Sequence, residues 1–433
     1  MEGKASETVK RILGSQNVRR ISLLKKTVSI HNARLLRAFS GGTTNVKALP
    51  QRTFVFPKAH LFFGYYDVSQ FGDDENLLLA VAAPPINRTP PAGSIVRLGF
   101  FDIREKTPEF HEFGRTATWC WQQGCRLQWY PLGGTNSVIY NTFLEGQYRS
   151  VVQDIRSSRI NKVLPRPIYA VSQDGKWGLT LNFSRLQRLR PGYGYNTFPD
   201  ESAGEAAPAA DGIWRIDMET GEEKLLFSIR DIAEFETQKR IGGTQHYFNH
   251  ILFNPVGDRF MFFHICQLSD GRRKIRLLTS SIDGADIHLL NDSGHASHYC
   301  WKDNDHLLCY STVAGKGEGY FLYDDRSGES QLVGAGTLNE DGHPSYLPGG
   351  QKLITDTYPD EYGELSLLLY DFENNGLTLL HKVYMPLRFN AETRCDFHPR
   401  ISLSGKQVCI DCIVDGKRAM KLFDISSMTA NRR

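Results

Sequence analysis

Residues 294–360 decide the fold of this chain. They include GHASHYCWKDNDHLLCYSTV (294–313), EGYFLYDDRSGESQLVG (318–334) and EDGHPSYLPGGQKLITDTYPD (340–360). Short apolar segments predict strands over 306–311, 320–323 and 330–333, with polar turns between them, and the pattern restarts at His343. A unit of four short strands that repeats about every 45 residues is typical of a β-propeller blade.

The number of predicted turns along the chain gives the number of blades. They predict the turn between the first and second strands of each blade near Gly72, Gly133-Gly134, Asp174-Gly175, Val256-Gly257, Asp303-Asn304, Gly349-Gly350 and Ser404-Gly405. We therefore expect an all-β, seven-bladed β-propeller that forms a single domain over residues 51–433, with six or eight blades as the alternatives. The final segments supply only part of the last blade, so the segment before Phe56 is expected to complete the ring.

Two stretches depart from the repeat. Residues 184–212 form a long insertion in blade three, rich in Arg and Tyr in its first half and in small and acidic residues in its second half. Long loops of this kind tend to be functional. Residues 1–50 form a basic, partly helical N-terminal extension with ten basic and two acidic side chains, whereas the remaining chain carries 41 basic against 46 acidic ones.

The extension has amphipathic spacing between residues 6 and 39. We expect it either to pack on the outside of the propeller or to make a peripheral contact with a membrane or another protein. No apolar stretch resembles a signal peptide or a membrane span, so a cytoplasmic protein is expected. The eight cysteines are scattered through strand-like segments, which favours buried thiols over a disulfide framework, including at Cys409 and Cys412.

Polar residues precede the first turn of most blades, where they converge on a propeller's central channel. They are Gln122, Gln123, Gln128, Tyr169, Asn249, His250, His295, His298, Cys300, Asp341, His343, Arg394, Asp396, His398 and Arg400. Burying so many polar groups is costly unless they bind water, a metal or a polar ligand. His298, Cys300, His343 and His398 together predict a site for a divalent metal such as zinc. His298 and Cys300 would share one face of a strand.

Three motifs resemble a known family of enzymes. The runs 297–301 (SHYCW), 341–345 (DGHPS) with 355–360 (TDTYPD), and 394–400 (RCDFHPR) are similar to the oligogalacturonate-lyase-like propellers, and the nearest branch is that of the seven-bladed ulvan lyases. The resemblance covers residues 55–425. It implies an enzyme that cleaves uronate-containing polysaccharides by β-elimination, often with a metal in the propeller.

The resemblance also implies roles for individual residues. Tyr169 and Arg185 are similar to the catalytic Tyr/Arg pair of the ulvan lyases, and an anionic sugar chain would be the partner. The expected substrate-binding residues are Gln122, Gln123, Asn141, Arg188, Arg190, Tyr193, Tyr195, His246 and His250. The ulvan lyases place two histidines upstream of that tyrosine, whereas this chain has no histidine between His111 and His246.

Two other functions stay open at this stage. One is a cytoplasmic sugar-binding or glycosyltransferase-type propeller of a polysaccharide biosynthesis pathway, and the other is a non-catalytic scaffold for proteins, because fold alone does not decide function. The chain has neither a phosphate-binding loop nor the basic stripe of a nucleic-acid-binding protein.

Overall fold

The computed structural model describes residues 22, 24–34, 46–236 and 244–429. Within them the strands form seven four-stranded antiparallel sheets, which confirms the predicted seven-bladed β-propeller. Each predicted turn lies between the first and second strands of a sheet. At Gly175 and Gly257 the backbone takes positive φ angles of 73° and 79°, a conformation that glycine adopts without a steric penalty.

Six blades are built from consecutive strands. In blades one to three these are β2 (His60–Phe62), β3 (Leu77–Ala83), β4 (Val96–Asp102), β5 (His111–Thr116), β6 (Gln128–Trp129), β7 (Ser137–Leu144), β8 (Gln147–Asp154), β9 (Ile160–Leu164), β10 (Ala170–Val171), β11 (Trp177–Thr180), β12 (Gly212–Asp217) and β13 (Glu223–Ser228). In blades four to six they are β14 (Gln245–Phe253), β15 (Arg259–Gln267), β16 (Arg273–Ser281), β17 (Ile287–Gly294), β18 (Ala296–Trp301), β19 (His306–Val313), β20 (Gly317–Asp324), β21 (Ser330–Val333), β22 (Ser345–Tyr346), β23 (Lys352–Asp356), β24 (Glu364–Asp371) and β25 (Gly376–Tyr384).

The seventh blade joins the two ends of the chain. It contains β26 (Arg400–Ile401), β27 (Gln407–Val414) and β28 (Lys417–Asp424), and its fourth strand is β1 (Gln51–Phe54), as predicted. β1 runs antiparallel to β28, with Gln51 opposite Phe423. The first blade is held to the seventh by Asp411, which accepts a hydrogen bond from the backbone N–H of Phe63 and pairs with Arg400.

The second strands explain why the sequence shows continuous apolar runs as well as alternation. Every residue of β3 is buried, and so is every residue of β15 except the last. Each blade packs between two others, so both faces of its central strands are buried. All eight cysteines are buried free thiols, as predicted.

The helices lie outside the blades. α1 (24–34) packs on blade six, where Ile30 is 5% exposed and the Arg34 guanidinium lies 4.3 Å from the centre of the Tyr384 ring. The other α-helices within the described residues are α2 (Phe183–Leu189), α3 (Ile229–Glu234) and α4 (Ser426–Thr429). The remaining parts of the predicted amphipathic segment, 6–21 and 35–39, lie outside the described residues. Among the described residues, no helix has both the length and the apolar composition that a membrane crossing requires.

Phe54 tests how much the closing strand contributes. Its ring is 4% exposed and lies 4.9 Å from the ring of Phe101 in blade one, between centres. We expect Phe54→Ala to lower the free energy of unfolding by about 3 kcal/mol, because it removes a buried ring from the closed seam. Val55→Ala is the matched control, since Val55 is exposed and its truncation should change stability by less than about 0.5 kcal/mol. Equal denaturant midpoints for the two variants would contradict a stabilising role for the β1 seam.

Candidate functional site

Side chains from several blades meet where the first strands begin. The Tyr65 ring stacks on His250 with 5.0 Å between centres, and it approaches His398 to 4.8 Å. His343 lies 4.0 Å from His298 and 4.4 Å from His398, again between ring centres. Tyr65 follows the first strand of blade one, His250 and His298 belong to the first strands of blades four and five, and His343 and His398 precede those of blades six and seven. The predicted convergence of these positions on the channel is therefore observed for the three histidines 298, 343 and 398.

Each of these three imidazoles is fixed through its Nδ1 atom. Nδ1 lies 2.8 Å from Asp341 Oδ1 in His298, 2.8 Å from Asp356 Oδ1 in His343, and 2.8 Å from the Gly64 carbonyl oxygen in His398. A carbonyl or carboxylate oxygen only accepts, so Nδ1 carries the proton that is donated. In the neutral tautomer Nε2 then keeps a lone pair. Metal-binding histidines are commonly oriented in this way.

The donor atoms form a compact group. One ligand atom each from His343, Asp396 and His398 lies within 4.8 Å of the other two, and all three residues are buried. His398 Nε2 is buried and has no hydrogen-bond partner in the described protein. Asp396 is held in place by Arg394, whose Nε and Nη2 lie 2.5 and 2.7 Å from its two oxygens. Imidazole nitrogens with a carboxylate oxygen are a donor set that suits divalent first-row cations.

The backbone at this site is strained. His250 and His398 take positive φ angles of 57° and 44°, which are uncommon for residues other than glycine. Asp356 contributes to holding His398 there, because its carboxylate accepts the backbone N–H groups of His343 at 2.7 Å and of His398 at 3.2 Å. Strain of this kind persists where the surroundings impose it, and it concentrates at functional sites.

Burial sets the protonation of the histidines. It lowers the pKa of His250 well below its ordinary value, and the nearby Arg190 cation adds to this effect. Burial also lowers the pKa of His298 and of His398. For His343 burial is again the largest single effect and lowers the pKa, but the charge and hydrogen bond of Asp356, together with the charges of Asp396 and Asp341, outweigh it and raise the pKa. His250 is consequently neutral at pH 7.

Two adjoining cavities open beside the histidines. The first, named the histidine cavity, has a volume of about 470 Å³; its polar lining residues include Asn249, His250, His295, Ser297 and His298. The second, named the glutamate cavity, has a volume of about 490 Å³; its polar lining residues include Gln122, Tyr193, Gln267, Glu392 and Arg394. Arg190, Gly271 and Arg273 line both cavities and form the boundary between them.

Arg190 is a cation without a carboxylate partner among the described residues. Its guanidinium lies 4.4 Å from the centre of the Tyr193 ring, and its Nε is buried without a hydrogen-bond partner. In the described part of the chain it forms no salt bridge with a carboxylate. The Asn249 amide, in the histidine cavity, is also buried with neither of its polar atoms paired. Unsatisfied buried groups need a partner, which indicates a site for a polar, anionic ligand.

Tyr169 and Arg185 lie in different surroundings. The Tyr169 hydroxyl is buried, accepts a hydrogen bond from Gln123 Nε2 at 2.6 Å and lies 3.4 Å from His250 Nδ1. Arg185, on α2, donates to the carbonyl oxygens of His246, Ser202 and Ala206. Its guanidinium therefore fastens the 184–212 insertion to blade four. Neither side chain lines the two cavities.

The other predicted substrate-binding residues divide into two groups. Gln122, Arg190, Tyr193 and His250 line one or both cavities. The others have partners within the protein: Gln123 donates to the Tyr169 hydroxyl, Asn141 donates to the Tyr195 hydroxyl at 2.9 Å, Arg188 pairs with Asp200, and His246 lies 3.1 Å from His264.

Cys300 is separated from the three histidines. It packs in a hydrophobic cluster with Leu308 and Leu353, and burial raises the pKa of its thiol. The pairing of β18 with β19 shifts register between Ala296 and Tyr299. His298 lies within this irregularity, so regular alternation does not relate it to Cys300.

Three contributors were not singled out from the sequence. Tyr65 and Tyr66 lie among the histidine rings, and Asp356 orients two of the histidines. Their only signal in the sequence is their place in the run FGYYD (63–67), which also fits the family resemblance, and in the motif at 355–360. Nothing in spacing alone distinguishes them from core residues.

Comparison with known proteins supports the fold. A solved oligogalacturonate lyase in complex with manganese is 15% identical over 88% of this chain and 98% of its own, with a TM-score of 0.59. A solved oligogalacturonate lyase from Vibrio parahaemolyticus is 12% identical over 90% of this chain and 100% of its own, with a TM-score of 0.60. No protein-family model and no curated protein matches the chain. The predicted resemblance to the oligogalacturonate-lyase-like propellers is confirmed for the fold, and the ulvan branch stays a prediction.

Gly342 tests the packing that supports the histidines. A Cβ atom at this position would lie 1.8 Å from the backbone oxygen of Asp356. We expect Gly342→Ala to lower the free energy of unfolding by at least about 2 kcal/mol, because the loop before β22 would have to move away from the backbone at the end of β23. Gly204→Ala is the control, since a Cβ there meets no atom within 4 Å. If thermal unfolding shows both variants equally stable, this close approach does not constrain the site.

Proposed function

We propose that this protein is a polysaccharide-lyase-like enzyme that cleaves uronate-containing oligo- or polysaccharides by β-elimination with the help of a divalent cation. One observation carries the proposal. Three imidazoles, each fixed through Nδ1, lie with Asp396 beside an arginine-lined groove that also contains the neutral His250. This combination would supply a site for a cation, groups that bind a carboxylate, and a base, which are what the reaction requires.

The cation would be held by His343, His398 and Asp396, with His298 completing the set. These residues fit a cation. The Nδ1 atoms of the three histidines are already hydrogen-bonded, and His398 Nε2 is a buried atom without a partner whose lone pair can bind a metal. When bound, the cation would supply positive charge to the uronate carboxylate. The comparable lyase that was solved with manganese supports a divalent ion. The predicted zinc has less support, since the thiol of Cys300 lies elsewhere.

The substrate carboxylate would be bound by Arg190, with Arg273 at the same boundary. Guanidinium groups bind carboxylates through two parallel hydrogen bonds. Neutralising this carboxylate stabilises the negative charge that develops when the C5 proton leaves. The absence of a protein carboxylate beside Arg190 among the described residues leaves its guanidinium available for this task.

Proton transfer is assigned to residues of the two cavities. His250 removes the C5 proton, the bond from C4 to the glycosidic oxygen breaks, and Tyr193 donates a proton to the leaving oxygen. Tyr169, 3.4 Å from His250 Nδ1, orients the base rather than contacting the substrate. Arg185 holds the insertion that carries Arg190 and Tyr193. Tyr169 and Arg185 therefore keep a place in the proposal, but as positioning residues.

Metal binding gives the first test. Protein purified without added metal and then titrated with Mn²⁺ or Zn²⁺ in a calorimeter should bind about one equivalent. His398→Ala should weaken binding by more than about tenfold, because it removes a donor atom. His306→Ala is the control, since His306 is the half-buried first residue of β19 and lines neither cavity. A wild-type protein that binds neither ion would overturn the cation site.

Elimination gives the second test. Unsaturated uronates absorb in the ultraviolet, so absorbance should rise when the protein is incubated with a panel of uronate-containing glycans. His250→Ala should lower kcat by about 100-fold or more, because it removes the base. Tyr169→Phe should lower kcat by a smaller factor, of about tenfold, because it removes only the orienting hydroxyl. His306→Ala is again the control and should retain wild-type activity.

A flat absorbance trace with detectable binding would contradict the lyase proposal. It would favour the alternative of a sugar-binding or glycosyltransferase-type propeller. A trace that rises equally with wild type and His250→Ala would instead remove His250 from the base position.

A further inference from the structure

The two cavities differ in charge although they share a boundary. Arg190 and Arg273 line both cavities, and Arg272, the additional arginine of the histidine cavity, is paired with Asp270. No carboxylate is among the described lining residues of the histidine cavity. The glutamate cavity contains Glu392. Its additional arginine, Arg394, is already neutralised by the paired oxygens of Asp396. A negatively charged sugar is therefore bound more favourably in the histidine cavity than beside Glu392.

Two residues that line the glutamate cavity each have a hydrogen-bond acceptor atom without a donor. Gln122 Nε2 donates to the backbone oxygens of Glu392 and Arg394, at 3.2 and 3.0 Å. Both of those partners only accept, so the orientation of the amide is fixed and Oε1 is its remaining atom. Gln122 Oε1 is buried without a partner, and so is Glu392 Oε2. Such atoms are satisfied by hydroxyl donors, which a sugar ring supplies and a carboxylate does not.

Glu392 is held in position. Its other oxygen, Oε1, accepts a hydrogen bond from the Thr89 hydroxyl. Glu392 belongs to the short 3-10 helix Ala391–Thr393. Gly192 of the insertion packs closely against it, since a Cβ on Gly192 would lie 2.8 Å from Glu392 Cβ. Loops of three blades thus fix the carboxylate at the cavity wall, where its charge is not removed by a simple side-chain rotation.

We propose that the glutamate cavity is a subsite for an uncharged, hydroxyl-bearing sugar that neighbours the uronate in the histidine cavity. Glu392 and Gln122 accept hydrogen bonds from its hydroxyls, and the Glu392 charge disfavours a second uronate. The preferred substrate class is then a glycan in which uronates alternate with neutral sugars. This inference rests on the proposed function, because it takes the histidine cavity as the uronate site.

Binding measurements test the subsite without requiring turnover. The protein carries His250→Ala to prevent cleavage and is saturated with Mn²⁺. The probes are tetragalacturonate and a tetrasaccharide of galacturonate alternating with rhamnose, titrated by calorimetry. We expect the alternating probe to bind about tenfold more tightly. When Glu392→Gln is added, tetragalacturonate should bind about tenfold more tightly, because the negative charge is removed. The affinity for the alternating probe should change by less than threefold, because glutamine keeps a hydrogen-bond acceptor.

Glu361→Gln is the matched control, since Glu361 is exposed and lines neither cavity. It should leave both affinities unchanged. Tighter binding of tetragalacturonate by the parent protein, or an unchanged ranking in Glu392→Gln, would overturn the neutral subsite even if elimination is observed. The expected ranking without any elimination by the unmutated protein would support the subsite and reject the lyase reaction. No binding of either probe would overturn both.

Discussion

The carboxylate of Asp356 is the interaction on which the rest of the site depends. It accepts the backbone N–H and Nδ1 of His343 and the backbone N–H of His398, so one side chain of blade six positions histidines of two blades. Only 1% of Asp356 is exposed. A buried charge of this kind is tolerated because several N–H donors surround it. Losing it would release both rings and leave unsatisfied donors in the protein interior.

The propeller supplies the rigidity that such a site needs. Central strands that are buried on both faces give each blade a large apolar interface with its neighbours, and this stabilisation offsets the cost of a polar channel mouth. The strained backbones of His250 and His398 persist for the same reason. The chemical groups are therefore attached to elements whose positions are set far from the groove, and the loops determine what the groove accepts.

Much of the architecture could be predicted because propeller turns repeat in the sequence. The seven turns, the closing strand and the convergence of His298, His343 and His398 all follow from the periodic pattern. Side-chain partners could not be predicted in this way. Arg185 has the composition of an anion-binding residue, but backbone oxygens of the insertion use its donors. The irregular pairing at the start of β18 separates Cys300 from His298, and a two-residue period does not reveal such an irregularity.

The closing strand has a consequence for how the protein is made. β1 leaves the ribosome long before its partner β28, since Gln51 pairs with Phe423. At a synthesis rate of 5–20 residues per second, β1 waits roughly 20 to 70 s for its partner. During that time three blades or more can form, yet the edge of the incomplete ring stays open. The ring closes only after β28 has been synthesised, so its cooperative stability depends on all seven blades together.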